Sequence, residues 1–152
     1  MNLNDFTNIQ NQEVIDSITY SIIFAAIGFC NSACQKCMPL NFTDVYSLQV
    51  YIVALIVFVL TNFVRLYNES DSNHSDWKQY LLSSVKKSMT PFILFILLSS
   101  LPVYQLVHFI TKFVYVDVMA KELNCCPTPI GVVIHTIVFY IFNIVIKTKL
   151  KA

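Results

Sequence analysis

Glycine is almost missing from this chain: there are two in 152 residues, Gly28 and Gly131, too far apart to share a loop. A phosphate-cradling loop needs several glycines within a few positions, so nucleotide-binding loops of that type are excluded. Charge is scarce too. Charged residues make up 12% of the chain, about half of what a soluble domain carries, and they cannot coat a soluble core of this size. The net charge of +1, with no basic stripe, leaves nothing to neutralise phosphates, so no nucleic-acid partner is expected. The Ser–His–Asp order, the His-x-x-x-His spacing and paired catalytic carboxylates are all missing. An enzyme therefore has little to build on, and neither a cofactor nor a metal is expected.

Hydrophobic residues fill the gap, at 56% of the chain, with a mean hydropathy of +0.61. The class is integral membrane protein. A helix needs roughly 20 mostly apolar residues to cross the hydrocarbon core. Val45–Val64 and Met89–Ile110 meet that requirement directly. Ile130–Ile146 and Val14–Ala33 meet it more weakly, the latter with Asp16 at one edge. The fold expected is an all-α membrane protein: one domain over 1–152, a bundle of four transmembrane helices. Three spans plus one interfacial helix is the alternative.

Local signals sharpen this outline. Thr90–Pro91 and Thr128–Pro129 read as helix starts, because Thr caps a first turn and Pro suits a position that needs no N–H. Pro102 predicts a kink in the third span, with Ser99 and Ser100 satisfying the freed carbonyls. Ser21, Ala25, Gly28 and Ser32 form a stripe of small residues, the pattern of close helix packing in lipid. Before the third span, "DWKQYLLSSVKKS" predicts a short interfacial amphipathic helix, with Trp77, Lys78, Lys86 and Lys87 at an anionic lipid surface. After it, Phe109, Phe113, Val116, Ala120 and Leu123 recur at helical spacing and predict that the third helix runs on past the bilayer. The rival reading is a strand on the Val114, Val116 and Val118 alternation. No internal repeat relates the two halves, and no ionisable residue sits in mid-span, so transport and voltage sensing lose support.

With four spans, Arg65, Lys78, Lys86, Lys87, Lys147, Lys149 and Lys151 share one side, against Lys36, Lys112 and Lys121 on the other. The positive-inside bias places both termini in the cytoplasm. The three N-x-S/T sequons, at Asn41, Asn68 and Asn73, split between the sides and decide nothing.

That topology puts Cys34 and Cys37, a C-x-x-C pair, in the first outer loop and Cys125–Cys126 in the second. A structural disulfide between the loops is the leading expectation, since all four face the side where disulfides persist in a secretory membrane. A redox-active pair needs a depressed thiol pKa, which a helix C-terminus opposes. A zinc site from the same four would use adjacent cysteines, poor tetrahedral partners. Free or palmitoylated thiols complete the options. His108 and His135 lie near the outer ends of spans three and four, at depths that bis-imidazole ligation would require, although interfacial histidines bonded to backbone or water are the plainer reading. Gln49, Asn62 and Asn143 are amides at membrane depth, read as interhelical hydrogen bonds before substrate contacts.

Residues 90–110 resemble a stretch of the orosomucoid-like proteins, small four-span endoplasmic-reticulum regulators of sphingolipid synthesis. Thr90, Pro91, Leu94, Leu97, Ser99, Tyr104, His108, Phe109 and Ile110 carry the likeness. In that family the segment leads into the last span, whereas here another loop and span follow, so no residue roles transfer. The architecture also looks like that of small four-span virion membrane proteins of RNA viruses. The function expected is a non-enzymatic structural, assembly or partner-binding subunit of a viral envelope or endoplasmic-reticulum membrane. Its partners would be the lipid bilayer and other membrane proteins or further copies of itself. The runner-up is a membrane thiol–disulfide oxidoreductase using the C-x-x-C pair, and third is a pore-forming oligomer.

Overall fold

The computed structural model describes residues 3–33, 45–69, 77–114 and 128–151, and these are helical almost throughout. Five helices follow in order: α1 (Leu3–Ala33), α2 (Val45–Glu69), α3 (Trp77–Ser99), α4 (Leu101–Lys112) and α5 (Pro129–Lys151). Four stretches are long and apolar enough to cross a membrane: Asn11–Cys30, Val45–Glu69, Trp77–Ser99 and Pro129–Lys149. The protein is an all-α, multi-pass membrane protein.

Paired residues fix the direction of the helices. Asp16 meets Arg65 while Tyr20 meets Asn62, so α1 and α2 run antiparallel. Asp16 also meets Lys147 while Gly28 lies against Val132, so α1 and α5 do the same. Phe58 packs near Phe95 while Asn62 bonds Ser88, which sets α2 against α3. The result is an up-down-up-down bundle. Its tight pairs are α1 with α5 and α2 with α3, and the α1–α2 seam is much looser.

The interior is polar and aromatic where a soluble bundle would be aliphatic. Ser17, Ser21, Ser47, Asn62, Ser84, Ser88, Ser99, His135 and Asn143 are all buried. Large aliphatic side chains such as Ile22, Ile52, Ile56, Ile137 and Ile141 point outward. In lipid this arrangement is the favourable one. The tails solvate aliphatic surface as well as a core does, so helices associate through small residues and hydrogen bonds.

Sequence expectations for the third span need four corrections. The stretch from Trp77 to Ser88 is not a separate helix, because α3 runs unbroken from Trp77 to Ser99. Its Ser84 and Ser88 face is buried, and it anchors this segment to the bundle. Pro91 is consequently buried inside α3, not at a helix start. Pro102 produces a full break, because Ser100 takes extended backbone angles (φ −76°, ψ 149°) and α4 begins beyond it. The serines meet their expectation in part: Ser100 Oγ donates to Leu97 O (2.6 Å) at the break and Ser99 Oγ to Phe95 O (2.5 Å), one turn back. Neither reaches Leu98 O, the carbonyl that Pro102 deprives of a donor. Finally, α4 does not continue past Lys112. Its end tightens, with Phe113 N–H donating to Ile110 O (3.3 Å) and Val114 N–H to Thr111 O (2.9 Å). The run Phe113–Val114–Tyr115–Val116 is β-branched and aromatic, hence poor at extending a helix. The rest of the amphipathic stripe, and of the rival strand, lies outside the described residues.

The last span begins as its sequence predicts. Thr128 Oγ1 accepts from Gly131 N–H (3.1 Å), which caps the first turn, and Pro129 opens α5.

Candidate functional site

Four phenylalanines, one from each spanning helix, meet at the centre of the bundle. Phe24 (α1) stacks on Phe139 (α5) at a 4.8 Å centroid distance and meets Phe95 (α3) edge-on at 5.5 Å. Phe95 meets Phe58 (α2) edge-on at 6.2 Å. All four are fully buried. Edge-to-face and offset geometries let the rings attract through their quadrupoles, so the layer adds more than its area alone.

On one side of this layer lies a hydrogen-bonded chain. The Tyr20 hydroxyl donates to Asn62 Oδ1 (2.5 Å), and Asn62 Nδ2 donates to Ser88 Oγ (2.7 Å) and to Phe58 O (3.1 Å). Ser88 Oγ in turn donates to Ser84 O (2.7 Å). One amide thereby joins α1, α2 and α3. Deeper toward that end, Asp16 takes Arg65 as an ion-pair partner and has Lys147 Nζ at 3.6 Å, while Arg65 Nε holds Glu69 at 2.9 Å. Lys147 also lies over the Tyr20 ring, 4.8 Å from its centroid. These ions are mostly sheltered, and pairing is what makes a sheltered charge tolerable.

Counting along each helix from its phenylalanine shows how level this end is. Asp16, Arg65, Lys86, Lys87 and Lys147 stand seven to nine positions from Phe24, Phe58, Phe95 and Phe139. At 1.5 Å per residue that is roughly 10–14 Å, near half the thickness of a bilayer's hydrocarbon core.

On the other side of the layer, Tyr104 stacks flat on His135, with centroids 3.6 Å apart and 12° between planes. Both are fully buried. His135 Nδ1 sits 2.8 Å from the Gly131 carbonyl oxygen, an acceptor, so Nδ1 carries the proton and Nε2 the lone pair. Neither Nε2 nor the Tyr104 hydroxyl has a hydrogen-bond partner among the described residues. His135 thus pairs with Tyr104, one turn before His108, whose own Nδ1 is buried and unpartnered. Among the described residues no cluster of three or more His, Cys, Asp or Glu is placed to hold a metal.

The remaining sequence candidates divide cleanly. Cys34, Cys37, Cys125 and Cys126 lie outside the described residues, and Cys30 is exposed with a free thiol. Trp77, Lys78, Lys86 and Lys87 are all exposed, Trp77 by 51%, with Lys78 Nζ 5.8 Å from the Trp77 ring centroid. Of the three amides, Asn62 makes the expected interhelical bonds. Asn143 is buried with both polar atoms unpartnered among the described residues. Gln49 is exposed in a groove between α1 and α2. Sequence reasoning missed Tyr20, Tyr104 and the phenylalanine layer, since nothing marks one aromatic among 14% as the one that faces inward. Asp16 was visible as a carboxylate at a span edge, but its partners are 49 and 131 positions away. Compared with models of protein families, with curated proteins and with solved structures, the chain matches none.

Proposed function

We propose that this chain is a non-enzymatic multi-pass subunit that acts through its outer surface, by packing against membrane partners. The observation that carries this reading is the phenylalanine layer, which fills the bundle axis at mid-depth with one ring from each spanning helix. Polar groups on one side of it hold three of the helices to each other, as the Tyr20–Asn62–Ser88 chain does. A filled axis also speaks against conduction through a single copy.

The common depth of Asp16, Arg65, Lys86, Lys87 and Lys147 supports one membrane boundary at that end. A further 20 residues along each helix then give crossings that match the sequence spans, with α3 and α4 together making the third. Seven of ten basic residues fall at or beyond this boundary, so both termini are cytoplasmic, in a secretory or envelope membrane.

Photocrosslinking amino acids placed at Ile137 and Ile141 on α5, and at Leu97 on α3, test the reading in native membranes. Discrete protein adducts from one helix face, unchanged when the cysteines are replaced by serine, are expected. Lipid adducts alone from all three positions would overturn it. Catalytic turnover of a test disulfide by the purified protein would replace it with the oxidoreductase reading.

A further inference from the structure

The seam between α1 and α2 is closed at one end and open at the other. Asp16–Arg65 and Tyr20–Asn62 clamp the two helices together at the charged end. Beyond Tyr20, α1 leans away onto α5, where Gly28 lets the backbone approach Val132 closely: a Cβ there would stand 2.8 Å from Val132 Cγ1. A wedge-shaped groove of about 520 Å³ results, starting at Ile23, one turn past the clamp. Away from Tyr46 and Gln49 its walls are small or β-branched, with Ala26 on α1 and Val50, Val53 and Val57 on α2. The volume lies within the range of roughly 300–1,000 Å³ that ligand pockets occupy. The groove opens onto the lipid-facing surface, where Ile22, Ile52 and Ile56 are exposed.

Two polar side chains, Tyr46 and Gln49, line the end of the groove near the start of α2, and Tyr46 is already engaged. Gln49 lines the groove, exposed, and its amide makes no hydrogen bond to any described residue. It stands four residues into α2, about 6 Å along the helix axis from Val45 and so near the level where hydrocarbon gives way to lipid linkages. At that level an amide beside an apolar groove finds its partners in interfacial water or in lipid ester carbonyls, not in hydrocarbon. An occupant with a chain for the apolar walls and a carbonyl for the amide satisfies both demands.

We propose that the α1–α2 groove binds one acyl chain of a membrane phospholipid, with the carbonyl of its ester linkage accepting a hydrogen bond from Gln49. The chain lies from Gln49 toward Val57, about 12 Å deeper along α2. This inference stands on the groove alone and does not depend on the partner-binding reading.

The test uses the full-length protein in nanodiscs containing phosphatidylcholine with a diazirine in one acyl chain. Peptides carrying Ala26 and Val53 should be labelled about tenfold more than the Ile137–Ile141 face of α5, the ratio that a preference of about 1.4 kcal/mol gives. Ala26→Phe should remove that enrichment, while Ile137→Phe should leave it intact. Val53→Phe, which changes an already exposed side chain, serves as the second variant should Ala26→Phe fail to fold. Gln49→Leu should cut the number of lipids retained on native mass spectrometry of detergent-purified protein. Labelling spread evenly over all lipid-facing helices would overturn the proposal, as would groove crosslinks that join two copies or another protein.

Discussion

A side-chain amide at membrane depth has two donor hydrogens and an acceptor oxygen to satisfy, and Asn62 does so with Tyr20, Ser88 and the carbonyl of Phe58. Interhelical hydrogen bonds in membranes average about 0.6 kcal/mol, but removing a partner from a buried hydroxyl adds its desolvation, ~1–3 kcal/mol. Asn62→Leu should therefore destabilise the protein by about 2 kcal/mol in detergent-unfolding titrations. Tyr20→Phe should cost about 1–2 kcal/mol, because Asn62 Oδ1 loses the hydroxyl that bonds it while Nδ2 keeps both of its acceptors. The double variant should fall short of the sum; strict additivity would mean that the Tyr20–Asn62 bond is idle. Gly28 is a second position where one atom decides the outcome. Alanine gains about 1 kcal/mol in helix propensity, but its methyl would press on Val132, whose branched side chain is stiff, and overpacking costs ~1–3 kcal/mol. Gly28→Ala should thus lower stability by roughly 1 kcal/mol, Gly28→Leu should lower it further, and Val132→Ala should relieve the first. A Gly28→Ala protein that melts higher would show that α1 and α5 are less close than described.

The helices show which signals a sequence carries in the open. Composition and run length were enough to find four apolar helices long enough to cross a membrane, because crossing hydrocarbon is a demand on every residue of a segment. The third, however, was expected at 89–110, and the helix runs Trp77–Ser99. Thr128 and Pro129 fixed the start of α5, since a cap is a local matter. Pro91 misled, because whether a proline opens a helix or sits inside one depends on what holds the preceding turns. Here Ser84 and Ser88 do so through the bundle, and a stripe of two serines is mute without knowledge of Asn62 opposite. Small residues at Ser21 and Gly28 announced close packing without saying against which helix. The break at Ser100 was half visible, as Pro102 forbids the N–H bond to Leu98 but does not say how far the chain will turn. Pro102→Ala restores that donor. Hydrogen exchange of the amides from Ser100 to Tyr104 should slow as α3 and α4 merge; unchanged exchange would place the cause of the break elsewhere.

For the molecule as a whole, the orientation proposed makes both ends of the chain report on one compartment. Protease added to the cytoplasmic face of sealed vesicles should remove tags from both termini, and a protected C-terminus would refute the four-crossing topology. The pairing of helices also has a consequence in time. The helix that α1 packs on most closely is α5, made more than a hundred residues later, so α1 enters the membrane long before α5 exists. Translation at roughly 5–20 residues per second separates the end of one from the end of the other by about 6–24 s. During that wait Asp16 can take Arg65 as soon as α2 follows, but the Gly28 face has no cover until Val132 arrives. A nascent chain stopped before Pro129 should therefore be handled as unfinished, held by insertion chaperones or degraded, while the same chain supplied with a separately expressed α5 segment should persist. The Gly28 face of α1 is a promise that α5 keeps.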